Sequence, residues 1–185
     1  MLAHRLIDRR RSLAIRTVLV LCASLAMAAG ARLSVHVGPV PLTGQTLVLP
    51  LVVALLGTRQ SVFAMLAYLA EGAAGLPVFA EGKVGPGVLL GVTAGYLWAY
   101  PVAAGVIGLL YERGFATGFA RRWIAIFAGT TLIFVSGAAW LAAFVGIPAA
   151  VALGVVPFVL GDLAKITVAA GCRNWWPGLA ANLKL

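Results

Sequence analysis

The sequence predicts an all-α integral membrane protein built as a bundle of six transmembrane helices. Three observations carry this. First, 62% of the 185 residues are hydrophobic and only 10% are charged, against about 25% charged in a soluble domain; mean hydropathy is +1.03. Second, several apolar runs reach or exceed the roughly 20 residues that cross a ~30 Å hydrocarbon core. Third, the last apolar run carries a charged pair. Asp162 and Lys165 stand alone in the apolar stretch Ile147–Gly171. A charge at that depth costs about 2.5–3.5 kcal/mol on insertion scales, and such groups usually face a bundle interior or an aqueous cavity. Their i, i+3 spacing puts both on one helical face.

The elements follow in order. Helix 1 is Leu13–Ala31, after a basic start. That start and the small residues Ala29-Gly30-Ala31 imitate a secretory signal, but the later spans commit the chain to the membrane, so helix 1 is read as retained. A polar loop with proline and glycine, Arg32–Thr46, follows. Helix 2 is Leu47–Leu56, or begins within the loop before it, and is short and contains Pro50; Gly57-Thr58-Arg59 turns the chain into helix 3, Gln60–Leu76. The glycines and prolines of Pro77–Gly87 break any helix. Helix 4 is Val88–Tyr111, Glu112–Arg122 is a charged loop, and helix 5 is Trp123–Val145. A turn at Gly146-Ile147-Pro148 starts helix 6, which runs to Cys172. The whole, 1–185, is one membrane domain: a basic cytoplasmic N-terminus 1–12, a six-helix bundle 13–172, and an interfacial tail 173–185 with Trp175 and Trp176.

The net charge of +9 does not read as a nucleic-acid surface, because the cations cluster beside membrane segments and form no stripe with aromatics. With the N-terminus inside, eleven Lys/Arg fall in cytoplasmic segments and two, Arg32 and Lys83, in outer loops. That bias predicts both termini inside, in the plasma or inner membrane. Cys22 and Cys172 offer neither a disulfide framework nor metal spacing. His4 and His36 are far apart, with no H-E-x-x-H; there is no G-x-S-x-G and no P-loop. No cofactor, metal site or enzymatic chemistry is expected.

Polar groups instead gather at the outer side. Thr43, Gln45 and Thr46 lie in the first outer loop, Glu71 near the outer end of helix 3, Lys83 in the second outer loop, and Thr93 and Tyr96 near the outer end of helix 4. Asp162 is about 20 Å down helix 6 at 1.5 Å per residue. A cavity opening outward would end on a fixed acid and base, and a mostly apolar pocket with few convergent polar groups suits a small organic ligand. Glu71 has a second reading, as an acid snorkelling to water. In helix 1, Cys22, Ala26 and Gly30 form a small-residue face that lets another helix approach closely.

Four collinear motifs, GPVPLTGQT (38–46), AYLAEGAAGLPVFAEG (67–82), GVTAGYL (91–97) and GDLAK (161–165), resemble the biotin-specific substrate-capture components (S components, BioY family) of energy-coupling-factor (ECF) transporters. The resemblance spans about Ala31–Gly171; Val92, Ala94 and Leu160 depart from it. It implies a six-helix bundle with the first outer loop capping an external pocket. It also implies a transmembrane coupling subunit and two ATPases as partners, with membrane lipid around them; some members are found without the coupling module. The implied ligand is biotin. Asp162 would accept from a ureido N–H, while Lys165 donates to the carbonyl or holds the acid ionised. Thr43 and Gln45 would close the site, Tyr68, Phe79 and Tyr96 would line its apolar part, and Lys83 would meet the carboxylate. Alternatives are capture of another vitamin, an integral-membrane lipid-modifying enzyme, and a purely structural subunit.

Overall fold

The structure, a computed structural model, describes residues 2–36 and 38–172, with side chains from residue 13 onward. The expected interfacial tail 173–185 lies outside the described residues. Among the described residues, four helical stretches are long and apolar enough to cross a bilayer: Leu13–Arg32, Ala94–Phe115, Phe119–Val145 and Ile147–Gly171. Two shorter helices, of 12 and 16 residues, complete a six-helix bundle.

Helix α1 runs Leu2–Arg32, starting well before Leu13. The loop after it is more ordered than its composition suggested. Strands β1 (Ser34–Val35) and β2 (Leu42–Thr43) pair antiparallel, Ser34 opposite Thr43. The Gly44 N–H then donates to the carbonyls of Gly30 (2.9 Å) and Leu33 (3.0 Å), drawing the returning chain onto the end of α1. A Cβ at Gly30 would press on Val48 and on the backbone of Gln45. Gly30 therefore serves packing within the chain.

Helix α2 is Gln45–Leu56. At 12 residues it is about 18 Å long, too short to span alone. It starts at Gln45 rather than Leu47, so Gln45 and Thr46 are first-turn helical residues and not loop residues. Gly57, at φ 85°, makes the turn to α3 (Thr58–Ala73). After Gly75 (φ 96°) the chain forms two 3₁₀ turns, Ala80–Gly82 and Pro86–Leu89, before α4 (Ala94–Leu110). The expected helix 4 thus starts six residues later than Val88, because Pro86 and the glycines favour tight turns. A wide helical turn, Tyr111–Phe115, leads to α5 (Phe119–Val145).

The last span is the main departure. It is broken into α6 (Ile147–Gly154) and α7 (Val159–Gly171), separated by a 3₁₀ turn at Val156–Phe158. Pro157 has no N–H for the Leu153 carbonyl, and its ring opposes a continuous helix. The Phe158 N–H goes to the Val155 carbonyl instead of the Gly154 carbonyl one turn back. Tyr96 of α4 supplies the missing donor, its hydroxyl lying 2.8 Å from the Gly154 carbonyl. A Cβ at Gly154 would collide with that hydroxyl.

Helix α4 packs on α3 and α5, α1 on α2 and α3, and α5 on α6 and α7, while short α2 touches α1, α3, α4 and α7. The core includes Met27, Met65, Tyr68, Phe79, Ile107, Ile126 and Leu141. Large apolar side chains are exposed around the bundle, among them Leu160 at 82% and Ile147 at 72%. That is the expected surface for a protein whose solvent is lipid.

Candidate functional site

A cleft opens at the bundle end that carries the β1–β2 ribbon and the 74–93 loop. It holds about 650 Å³ of space, open mouth included. Its walls are largely apolar: Phe79, Val88, Tyr96, Leu97, Phe134 and Phe158 contribute. Its polar groups come from four parts of the chain. Thr43 at the end of β2 enters with Gln45 and Thr46 at the start of α2, Lys83 from the 74–93 loop, Thr93 and Tyr100 from the cap and body of α4, and Asp162 and Lys165 from α7.

The helix break explains where Asp162 sits. It lies in the first turn of α7, so its carboxylate is near the partial positive charge of a helix N-terminus. Asp162 is 3% exposed. Its Oδ1 accepts from the Thr46 hydroxyl at 2.6 Å and from Lys165 Nζ at 2.8 Å. Its Oδ2 is buried and has no hydrogen-bond partner. Burying a polar atom in this way is costly unless a partner arrives.

Lys165 is fully engaged. Its three N–H groups have three acceptors: the Thr43 carbonyl (2.7 Å), Asp162 Oδ1 (2.8 Å) and the Thr46 hydroxyl (3.2 Å). An ammonium has three donors and no more. Lys165 therefore ties β2, α2 and α7 together, and its charge offsets that of Asp162.

Gln45 forms a second cluster. It is 2% exposed. Its Nε2 donates to the Tyr68 hydroxyl (2.8 Å), while its Oε1 accepts from the hydroxyls of Tyr100 (3.0 Å) and Thr43 (3.2 Å). Tyr68 sits behind Gln45, outside the lining, and meets Phe79 edge-on with ring centroids 5.6 Å apart. Gln45 is thus a fixture of the cleft floor rather than part of a mobile cap.

At the mouth, Glu81 links the two loops. It contacts His36 Nδ1 and Lys83 Nζ, the latter at 2.8 Å. The Lys83 hydrogen bond, with a smaller part from His36, holds the Glu81 carboxyl below its ordinary range. Glu81 has φ 60°, unusual for a non-glycine residue. Arg32 adds a further tie by donating to the Pro77 carbonyl at 2.7 Å.

Of the ten residues named from sequence, eight line this cleft: Thr43, Gln45, Phe79, Lys83, Thr93, Tyr96, Asp162 and Lys165. Tyr68 stands one layer behind. Glu71 lies elsewhere, where α3 meets α1, and its Oε1 accepts from the Ser24 hydroxyl at 2.7 Å. The sequence reading missed Tyr100, Phe134 and Phe158. Only their helical register could have signalled them, since Tyr100 is one turn beyond Tyr96. On α1, Cys22 is exposed, Ala26 half-buried and Gly30 buried, so the small-residue face is only partly free.

Comparison with known proteins places the fold. A family model described as "BioY family" matches residues 6–179. The chain is 42% identical over 142 residues to "Biotin transporter BioY" of Thermotoga maritima, covering 76% of this chain and 83% of that protein. It is 39% identical over 140 residues to "Probable biotin transporter BioY" of Pyrococcus horikoshii, covering 76% and 82% respectively. Among solved structures, "Crystal structure at 2.1 A of the S-component for biotin from an ECF-type ABC transporter" superposes with TM-score 0.76 at 24% identity, covering 86% of this chain and 89% of that one.

Proposed function

We infer function from one premise: this chain belongs to the BioY family. It is a multi-pass membrane protein for biotin uptake and carries out no covalent chemistry. We propose that it captures biotin in the α2–α4–α7 cleft and passes it across the membrane with an ECF-type coupling subunit and two ATPases.

The observation that carries the site assignment is Asp162 Oδ2, a buried carboxylate oxygen with no partner in the wall of the cleft. Biotin offers two ureido N–H donors, a ureido carbonyl, an apolar thioether ring and a carboxylate. A ureido N–H donating to Oδ2 would satisfy both groups with a charge-assisted bond. Lys165 has no donor to spare, so its part is to hold Asp162 ionised and the start of α2 in place. The carbonyl must find its donor elsewhere. Among the described residues the Thr93 hydroxyl has no hydrogen-bond partner, and Lys83 has donors beyond its bond to Glu81. Thr93 suits the carbonyl, and Lys83, 51% exposed at the mouth, suits the carboxylate. The ring packs against Phe79, Tyr96 and Phe134.

The cleft faces outward and both termini are cytoplasmic, because eleven of thirteen Lys/Arg outside the bundle core lie on the other side. A reporter fused after Leu185 reads inside; an outside reading rejects this orientation. Equilibrium binding of labelled biotin to the purified chain, with unlabelled vitamins as competitors, tests the ligand. Saturable binding displaced only by biotin supports the assignment. Absence of saturable biotin binding, or displacement by a different vitamin at far lower concentration than unlabelled biotin needs, rejects it.

A further inference from the structure

A second cleft lies at the opposite end of the bundle, between the early turns of α1 and the start of α3. It encloses about 1,580 Å³, mouth included, and is lined by both polar and apolar side chains. Arg16, Thr17, Arg59 and Gln60 make the polar zone. Arg16 is half-buried, and its Nε is buried without a hydrogen-bond partner. Among the described residues neither Arg16 nor Arg59 has an ion-pair partner. Helix α3 starts here with no acidic residue in its first turn and no side-chain cap, so its N-terminus adds partial positive charge. Among the described residues one carboxylate shares the cleft: Glu112, whose Oε1 accepts from the Thr58 hydroxyl at 2.5 Å.

The apolar zone lies one helical turn further along α1 and α3. Val20 of α1 and Phe63 and Leu66 of α3 form its walls, and Phe63 and Leu66 are 57% and 43% exposed. A free inorganic anion would satisfy the arginines and leave this groove unused. An anionic phospholipid satisfies both zones, with its phosphate on the guanidinium groups and an acyl chain along the groove. Basic pockets between helices at the cytoplasmic surface bind lipid headgroups in this way.

We propose that the α1–α3 cleft is a binding site for an anionic phospholipid, held by Arg16 and Arg59. The proposal rests on the membrane reading and on this end lying at headgroup level, but not on biotin as the ligand. The test uses the full chain purified in detergent, with thermal stability measured on adding phosphatidylglycerol, phosphatidylcholine or inorganic phosphate. Phosphatidylglycerol raises the wild-type Tm by at least about 3 °C, because a ligand that binds only the folded state stabilises it. Phosphatidylcholine and phosphate leave it within about 1 °C. The Arg16→Gln/Arg59→Gln variant loses the rise, Arg16→Lys/Arg59→Lys keeps most of it, and all three bind biotin equally.

An equal response to phosphatidylcholine overturns the proposal, and so does an unchanged response in the Gln variant. A phosphate response equal to the lipid response means a free-anion site. Loss of a co-purifying membrane protein from the Gln variant, with its lipid response intact, means that the cleft docks a protein instead. If the Gln variant fails to bind biotin, the wild-type lipid comparison still decides.

Discussion

The Tyr96 hydroxyl donates to the Gly154 carbonyl at 2.8 Å and thereby fixes the break in the last span to α4. The ring of the same tyrosine lines the ligand cleft, whereas its hydroxyl is already committed. Tyr96→Phe leaves a buried carbonyl unpaired, which costs about 1–3 kcal/mol. For a chain of this size each kcal/mol lowers Tm by roughly 2–4 °C. Biotin affinity falls far less than stability. Thermal unfolding and binding measured on one preparation check this; a large affinity loss with unchanged Tm would mean that the hydroxyl serves the ligand.

Gln45 shows the same economy of polar groups. Gln45→Leu removes the acceptor of Tyr100 and the donor to Tyr68, at about 1–3 kcal/mol for each buried group left unsatisfied. It also unpins the first turn of α2, which carries Thr46 to Asp162. The expected result is a lower Tm together with weaker biotin binding, read by unfolding and equilibrium binding. Loss of binding at unchanged Tm would make Gln45 a ligand contact rather than a support.

The sequence made some of this legible and hid the rest. Long apolar runs located α1, α4, α5 and the last span, because hydropathy reports burial in lipid directly. The same measure concealed the break at Val155–Phe158, since Gly154 and Pro157 barely dent a 25-residue run whose mean hydropathy is still 2.0. The start of α2 was misjudged for the opposite reason. Gln45 and Thr46 are polar and read as loop, yet their partners Tyr68, Tyr100 and Asp162 are distant in sequence. Glu71 was placed at the site by its depth alone, and depth does not say which way a helical face points.

The mouth contacts are sensitive to acid. The Glu81 carboxyl is held low chiefly by Lys83, and a depressed acid stabilises the folded state above its ordinary pKa and loses that contribution as pH falls through the depressed value. In a His36→Gln background the Tm difference between Glu81 and Glu81→Gln is therefore steady above the ordinary carboxylate range and is lost as pH falls through the depressed value. The pair is exposed, so the steady difference is small. Tm measured against pH checks it; a difference that grows on acidification contradicts it.

Helix α1 separates two roles along one line of small residues. Cys22 is exposed, whereas Gly30 closes on Val48 and Gln45. If the coupling subunit docks on this helix, Cys22→Trp blocks co-purification and transport but leaves biotin binding intact. Gly30→Leu overpacks the α1–α2 contact at about 1–3 kcal/mol and lowers Tm in the isolated chain. Pull-down, uptake and binding assays distinguish them. Normal assembly of Cys22→Trp would move the docking face elsewhere.

The central claim is that Asp162 receives the ligand while Lys165 holds Asp162 in place. Equilibrium binding of labelled biotin tests it most directly, using Asp162→Asn and the neutral double Asp162→Asn/Lys165→Met. Breaking a buried ion pair costs about 3–5 kcal/mol, divided between stability and binding. A loss of about 3 kcal/mol in binding is a factor of more than 100 in Kd. The predicted result is that Asp162→Asn binds at least about 100-fold more weakly. The double variant, with no lone buried charge, regains thermal stability but not affinity. Near-normal biotin affinity in the double variant would contradict the account and leave the pair as a structural clamp.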